Sequence, residues 1–228
     1  MDQQSYMLAT LVAVSSVFGL GLSMFMLGSV KLRLTEKLGI DNAQMGKLFS
    51  VYNFGNLVFV LVAGIVCDQF GYKTVAVGGF VAGALALFCL GQASSYTLVV
   101  LACLFLGVGS MFMNTAGNVL LGHPKILFED PARSANMGNV FFGVGAFCAP
   151  FLTALLFKKM SFNNTLAVMA AVLLIPLIFA IAGLFPPAGG NFSTNAAASL
   201  IGERQIILCA LALMCYIALE VSMTGWIT

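Results

Sequence analysis

The chain has 228 residues, 61% of them hydrophobic and 8% charged, with a formal net charge of +2 and a mean hydropathy of +1.03. No ordinary soluble domain is this apolar, and so few, dispersed charges exclude a nucleic-acid surface. The six cysteines (Cys67, Cys89, Cys103, Cys148, Cys209 and Cys215) stand singly in apolar stretches. They read as small core residues rather than as a disulfide or metal-ligand framework.

A bilayer crossing needs about 20 apolar residues, and seven stretches qualify: 6–30, 46–66, 74–92, 97–121, 134–157, 165–185 and 205–228. Each is predicted helical, because unpaired backbone groups cannot face lipid. The leading Met1-Asp2-Gln3-Gln4-Ser5 lacks the basic flank of a cleaved signal peptide, and the run behind it is too long for one. The first segment is therefore expected to stay in the membrane. Between the second and third stretches lies Gly64-Ile65-Val66-Cys67-Asp68-Gln69-Phe70-Gly71-Tyr72-Lys73, predicted as a short polar hairpin. The connection 122–133 is polar, contains Pro124 and Pro131, and is predicted to run over the surface. Pro176 predicts a kink in the sixth stretch. The weakly structured run from Pro186 to Arg204 reads as a hinge. The expected organisation is a six-helix unit over 1–187, a linker over 188–204, and the first helix of a second unit over 205–228.

Polar groups at bilayer depth are costly and mark cavities or helix contacts. Asn114 and Asn118 fall on one face of the fourth stretch, Asn136 and Asn139 on one face of the fifth, and Tyr52, Asn53 and Asn56 lie in the second. An amide both donates and accepts, which suits the hydroxyls of a sugar or polyol better than an ion of one sign. Bonding helix to helix is the alternative role for these amides, and Asn139 is also placed to cap its helix. Glu220 is an acid well inside the last stretch, with Trp226 six residues on. His123, in the connection after the fourth stretch, reads as a solvated loop histidine. No catalytic triad, Walker loop or metal-ligand cluster is visible, so neither an enzyme nor a cofactor is expected.

Gly64, Asp68, Gly71 and Lys73 resemble the loop between helices two and three of the major facilitator superfamily, where a Gly, three residues, an Asp, a Gly and bases recur. Gln69 and Tyr72 stand where that pattern often has Arg or Lys. The resemblance implies an all-α, two-half transporter of which this chain carries one six-helix half and one further helix. It also implies a gating role for Gly64, Asp68, Gly71 and Lys73, with Asp68 pairing with a helix end or with Lys73 or Arg133 when the gate closes. A three-plus-three repeat, established for such halves, fits the recurrence of Ser23-Met24-Phe25-Met26 as Ser110-Met111-Phe112-Met113, and of Phe54-Gly55 as Phe142-Gly143. The stretch around Glu220 and Trp226, with Asn114 and Asn118, is similar to the fucose-permease-like sugar:proton symporters. That similarity implies substrate contacts from Asn114, Asn118, Asn53, Asn139 and Glu220, and from Trp226 as a platform for a sugar ring. Gly28 (or Leu27) and Asn114 stand where proton-coupled members of the group carry acids, and neither side chain titrates.

The expected function is secondary-active or facilitative transport of a small neutral hydroxylated solute, with or without a coupling proton or sodium ion. The alternatives are an exporter of hydrophobic compounds, or a scaffold or sensor on the same fold. The expected partners are the small-molecule substrate and the lipid bilayer, with no nucleic acid, and the sequence leaves the oligomeric state open. The resemblance places the chain in a cell membrane, bacterial inner or plasma, as a multi-pass protein with its N-terminus in the cytoplasm. The bases point the other way. Lys73, Lys125, Arg133 and Arg204 would be inside, against Lys31, Arg33, Lys37, Lys47, Lys158 and Lys159 outside.

Overall fold

A computed structural model describes residues 3–187 and 202–226, with side chains as far as residue 219. The chain divides into two compact units, Met1–Ala188 and Gly189–Thr228. The described residues form helices and contain no strand. The first unit holds α1 (Gln3–Leu38), α2 (Asn42–Gln92), α3 (Tyr96–Leu121), α4 (Pro131–Phe157), α5 (Phe162–Leu174) and α6 (Leu177–Ala182). The second holds α7 (Arg204–Trp226).

α2 is 51 residues long, which would span about 77 Å if straight. It is not straight. Gly71 alone within it departs from helical geometry, with φ 83° and ψ 168°, a combination open essentially only to glycine. Gly55 packs on Leu104 and Gly107 of α3, while Gly83 packs on Gly109 of the same helix. Those two glycines would be about 42 Å apart along an unbroken helix, so the chain reverses at Gly71. The polar hairpin expected over 64–73 is thus a one-residue turn. Residues 64–70 remain helical, because side chains at a helix end leaving the bilayer have no need to abandon backbone hydrogen bonds. α5 and α6 form one span of 21 residues, Phe162–Ala182. It is broken where Pro176 offers no N–H and the neighbouring bonds tighten to Ile175 N→Val172 O and Ile178 N→Ile175 O, both 3.3 Å.

Six spans result: α1, the two arms of α2 (42–70 and 72–92), α3, α4, and α5 with α6. The turns between them have ordinary causes. Gly39, at φ 64°, closes α1 through its N–H to Thr35 O. Asp41 opens α2 with a reciprocal capping box to Gln44. Ser95, Asp130 and Ser161 cap α3, α4 and α5 through their side chains.

The spans alternate in direction, which sorts the loops to two ends of the bundle. The amino-terminal end gathers the start of α1, the Gly71 turn, the α3–α4 connection and the end of α6: Lys125 lies over the Tyr6 ring, and Lys73 donates to Ile181 O. The distal end gathers residues 37, 91 and 163, joined by hydrogen bonds from Lys37. The α3–α4 connection is more anchored than a surface loop. Ile126 is fully buried, Leu127 takes φ 65°, and the buried Ser134 hydroxyl accepts from Phe128 N–H.

Two close crossings hold the spans together. α1 meets α4 where Gly21 faces Phe142 and Gly145 faces Phe18; a Cβ at either glycine would overlap the opposing backbone carbonyl. α3 meets the first arm of α2 where a Cβ on Gly107 would come within 2.7 Å of the Tyr52 carbonyl oxygen. First helix on fifth and fourth helix on second is the pairing that the internal repeat implies. The registers differ, however. Gly55 is closely packed, whereas its repeat partner Gly143 has nothing within 4 Å of a would-be Cβ. Between the crossings sits an apolar core that includes Leu22, Met26, Phe80, Leu87, Leu106 and Met113. Of the six cysteines expected in the core, Cys67 and Cys103 are buried there, whereas Cys148 is half-buried and Cys89, Cys209 and Cys215 are exposed on their apolar helices.

Candidate substrate path and gate

Asn114 and Asn118 share one face of α3, four residues apart, as one helical turn dictates. The Asn118 amide donates to Asn114 Oδ1 (2.7 Å) and to Asn114 O (3.0 Å). Both Asn118 N–H groups are therefore engaged, while Asn114 Nδ2 and Asn118 Oδ1 have no partner among the described residues. Asn118 is exposed and Asn114 half-buried. The pair presents two N–H donors and an acceptor side by side, which matches a vicinal pair of hydroxyls.

The apolar side of α3, carrying Leu98, Leu101 and Phe105, borders a groove of about 650 Å³ against the second arm of α2. From Phe105 to Asn114 is nine residues, two and a half turns, so the amides look away from this groove. Asn114 lies about 10 Å, and Asn118 about 5 Å, from the end of α3 along its axis. Asn136 and Asn139, both exposed, lie at similar depth on α4, and no hydrogen bond joins them to the α3 pair. Asn139 does not cap α4. Asp130 does, nine residues earlier in the chain, by accepting from Ala132 N–H at 2.9 Å. Asn53 is set apart. It sits about 16 Å from the distal start of α2, with its amide N–H turned back to Phe49 O at 2.9 Å. The structure does not gather it with Asn114.

The chemistry missed in the sequence is a buried bond across the α2–α3 crossing. Tyr52 OH donates to Ser110 Oγ at 3.1 Å, both residues being buried. Ser23, the repeat partner of Ser110, is as buried, but its hydroxyl has no partner among the described residues. The residue standing in the repeat where Tyr52 would be is Val140. The recurrence of serine was visible in sequence; the missing phenol was the sign that only one copy would be satisfied.

At the amino-terminal end, Asp68 is half-buried and Gly64 has open space around it. The expected partners of Asp68 are committed elsewhere. Lys73 donates to Ile181 O at 2.6 Å, capping α6, and Arg133 lies 4.6 Å over the Phe128 ring. Among the described residues the one ion pair is Arg33–Glu36. The pairing of Asp68 with Lys73 or Arg133 is therefore absent from this conformation, since a helix C-terminus and an aromatic face have taken the two cations. His123 is not simply solvated. Its ring lies 6.4 Å from that of Tyr6, and its Nδ1 accepts from Lys125 N–H. Glu220 and Trp226 belong to the helical run of α7, but their side chains lie outside the described residues, as does the linker over 188–201.

Two curated relatives share part of the chain. It is 31% identical over 137 residues to a probable nitrate transporter of Staphylococcus epidermidis, covering 55% of this chain and 33% of that protein. It is 28% identical over 112 residues to an inner membrane transport protein of Escherichia coli, covering 49% and 27%. The matches thus span about a third or less of the relatives' length. The family model described as Major Facilitator Superfamily matches residues 13–228, which takes in the turn at Gly71 and all the spans except the first ten residues of α1. With six alternating helices, an internal three-helix pairing and that match, the chain belongs to the Major Facilitator Superfamily.

Proposed function

We propose that the chain belongs to a secondary-active or facilitative carrier for a small, neutral, hydroxylated solute, moved by alternating access, with its N-terminus in the cytoplasm. The observation that carries the solute class is the Asn114–Asn118 pair, with two donors and one acceptor left unpaired on one helix face. A buried anion needs a cation or several donors at its own depth. The bases of the described spans instead stand toward the two ends of the bundle: Lys73, Lys125 and Arg133 at the amino-terminal end, and Lys31, Arg33, Lys37, Lys47, Lys158 and Lys159 toward the distal end. The nitrate named for one relative is the second reading, and it rests on that relative's name.

Uptake of radiolabelled hexoses, polyols and nitrate into proteoliposomes separates the two. Hexose or polyol uptake supports the proposal, and nitrate uptake alone overturns it. Leaving a solute hydroxyl unpaired within the complex costs about 1–3 kcal/mol, so Asn114→Ala and Asn118→Ala should each weaken solute binding about tenfold. Unchanged binding with a lower unfolding temperature would make the two amides interhelical glue and remove the support for a sugar-like solute.

A further inference from the structure

The last turns of α1 form a cationic notch that the carrier reading does not use. α1 runs for 36 residues, about 54 Å, against a hydrocarbon layer of about 30 Å. Its end therefore emerges among lipid headgroups. There Arg33, Glu36 and Lys37 face Phe157, Ser161 and Phe162 around a cavity of about 320 Å³. The two phenyl rings stack at 6.1 Å with 7° between their planes. Arg33 lies over the Phe157 ring at 5.8 Å, and Lys37 over the Phe162 ring at 4.9 Å.

Both cations are held in place. Lys37 donates to Gly91 O (2.8 Å) and Asn163 Oδ1 (2.9 Å), leaving its third N–H uncommitted. Arg33 spends one guanidinium nitrogen on Glu36 at 3.3 Å, and its remaining N–H groups have no partner among the described residues. Lys158 and Lys159 follow Phe157 directly in the chain, so the one acid, Glu36, is outnumbered. An aromatic floor, two fixed cations with spare donors and a net positive rim suit a phosphate.

The surroundings decide which phosphate. Asn163, which accepts from Lys37, donates to Gln92 Oε1 at 3.2 Å. Gln92 also borders the apolar groove walled by Leu85, Leu101 and Phe105. That groove follows the second arm of α2 from Gln92 to Gly78, about 21 Å, enough to reach through one leaflet. A charged headgroup site two hydrogen bonds from an apolar groove of leaflet depth fits a lipid and not a soluble ion.

We infer that the notch formed by Arg33, Lys37, Phe157 and Phe162 binds the phosphate of an anionic phospholipid in the leaflet at the distal end. The test uses the full chain in phosphatidylcholine nanodiscs with and without phosphatidylglycerol, reading retained lipid by native mass spectrometry and unfolding temperature in parallel. Phosphatidylglycerol should be retained and should raise the unfolding temperature. Arg33→Gln and Lys37→Gln should each weaken retention about fivefold, as for one juxtamembrane cation. Lys47→Gln, an exposed base at the same end but outside the notch, should leave it unchanged. Lys37→Gln also removes a helix-end contact, so Arg33→Gln is the decisive variant. Three results would overturn the inference: unaltered retention in Arg33→Gln, an equal loss in Lys47→Gln, or equal stabilisation by inorganic phosphate without phosphatidylglycerol.

Discussion

Gly64 and Gly71 belong to the same short motif, yet the structure gives them opposite needs. Gly71 holds φ 83° and ψ 168°, and the reversal of a 51-residue helix depends on it. Placing an L side chain there costs about 1–3 kcal/mol in backbone strain, although no atom lies within 4 Å of the added Cβ. The penalty is conformational and not steric. Gly64 has equally open surroundings but sits within regular helix, where replacing glycine by alanine gains about 0.5–1 kcal/mol. Gly71→Ala and Gly64→Ala should therefore differ by about 1.5–4 kcal/mol in unfolding free energy. Reversible unfolding in mixed detergent–SDS micelles, followed by circular dichroism, measures that difference. Gly71→Ala matching the parent in stability would refute the claim that the turn rests on glycine at this position.

Gly21→Ala should destabilise the chain by about 1–3 kcal/mol, as overpacking does, because its Cβ would overlap Phe142 O and approach Ala146 N to 2.9 Å; unfolding in the same micelles reads it. Asp68→Asn should slow transport while leaving equilibrium binding of the solute within a few-fold, since the acid is proposed to act on the gate. Full transport by that variant removes the gating role. Glu220→Gln, an expectation from sequence alone, should abolish accumulation against a gradient while preserving solute exchange if the acid couples a cation; accumulation, exchange and affinity all matching the parent would take Glu220 out of the site.

Hydropathy made the spans of the six-helix unit legible because insertion selects on it directly, and each proposed stretch overlaps an observed helix. What hydropathy does not record is where the backbone bends. Residues 64–70 turn polar while still helical, since a helix leaving the bilayer changes solvent before it changes conformation. The break itself is confined to one glycine, whose φ no composition window can detect. Pro176 was easier, because a missing N–H is written in the residue type.

The repeat shows the same division at the level of side chains. Its period was readable from Ser23-Met24-Phe25-Met26 and Ser110-Met111-Phe112-Met113, and it implies the pairing of α1 with α4 and of α3 with the first arm of α2. The chemistry at each crossing depends on single residues that the repeat does not preserve. Tyr52 satisfies Ser110, whereas the equivalent position holds Val140 and the Ser23 hydroxyl has no partner among the described residues, and Gly55 is tightly packed where Gly143 is not. The candidate site follows from this asymmetry. The α3 position bearing Asn114, 87 residues after Leu27, has no amide counterpart in α1, so the half-bundle presents the unpaired donors and acceptor of the Asn114–Asn118 pair from one repeat only. An inverted repeat supplies two similar scaffolds; it is their unlike side chains that give the proposed path a polar face on α3, at the amino-terminal end where Asp68 and the Gly71 turn also lie.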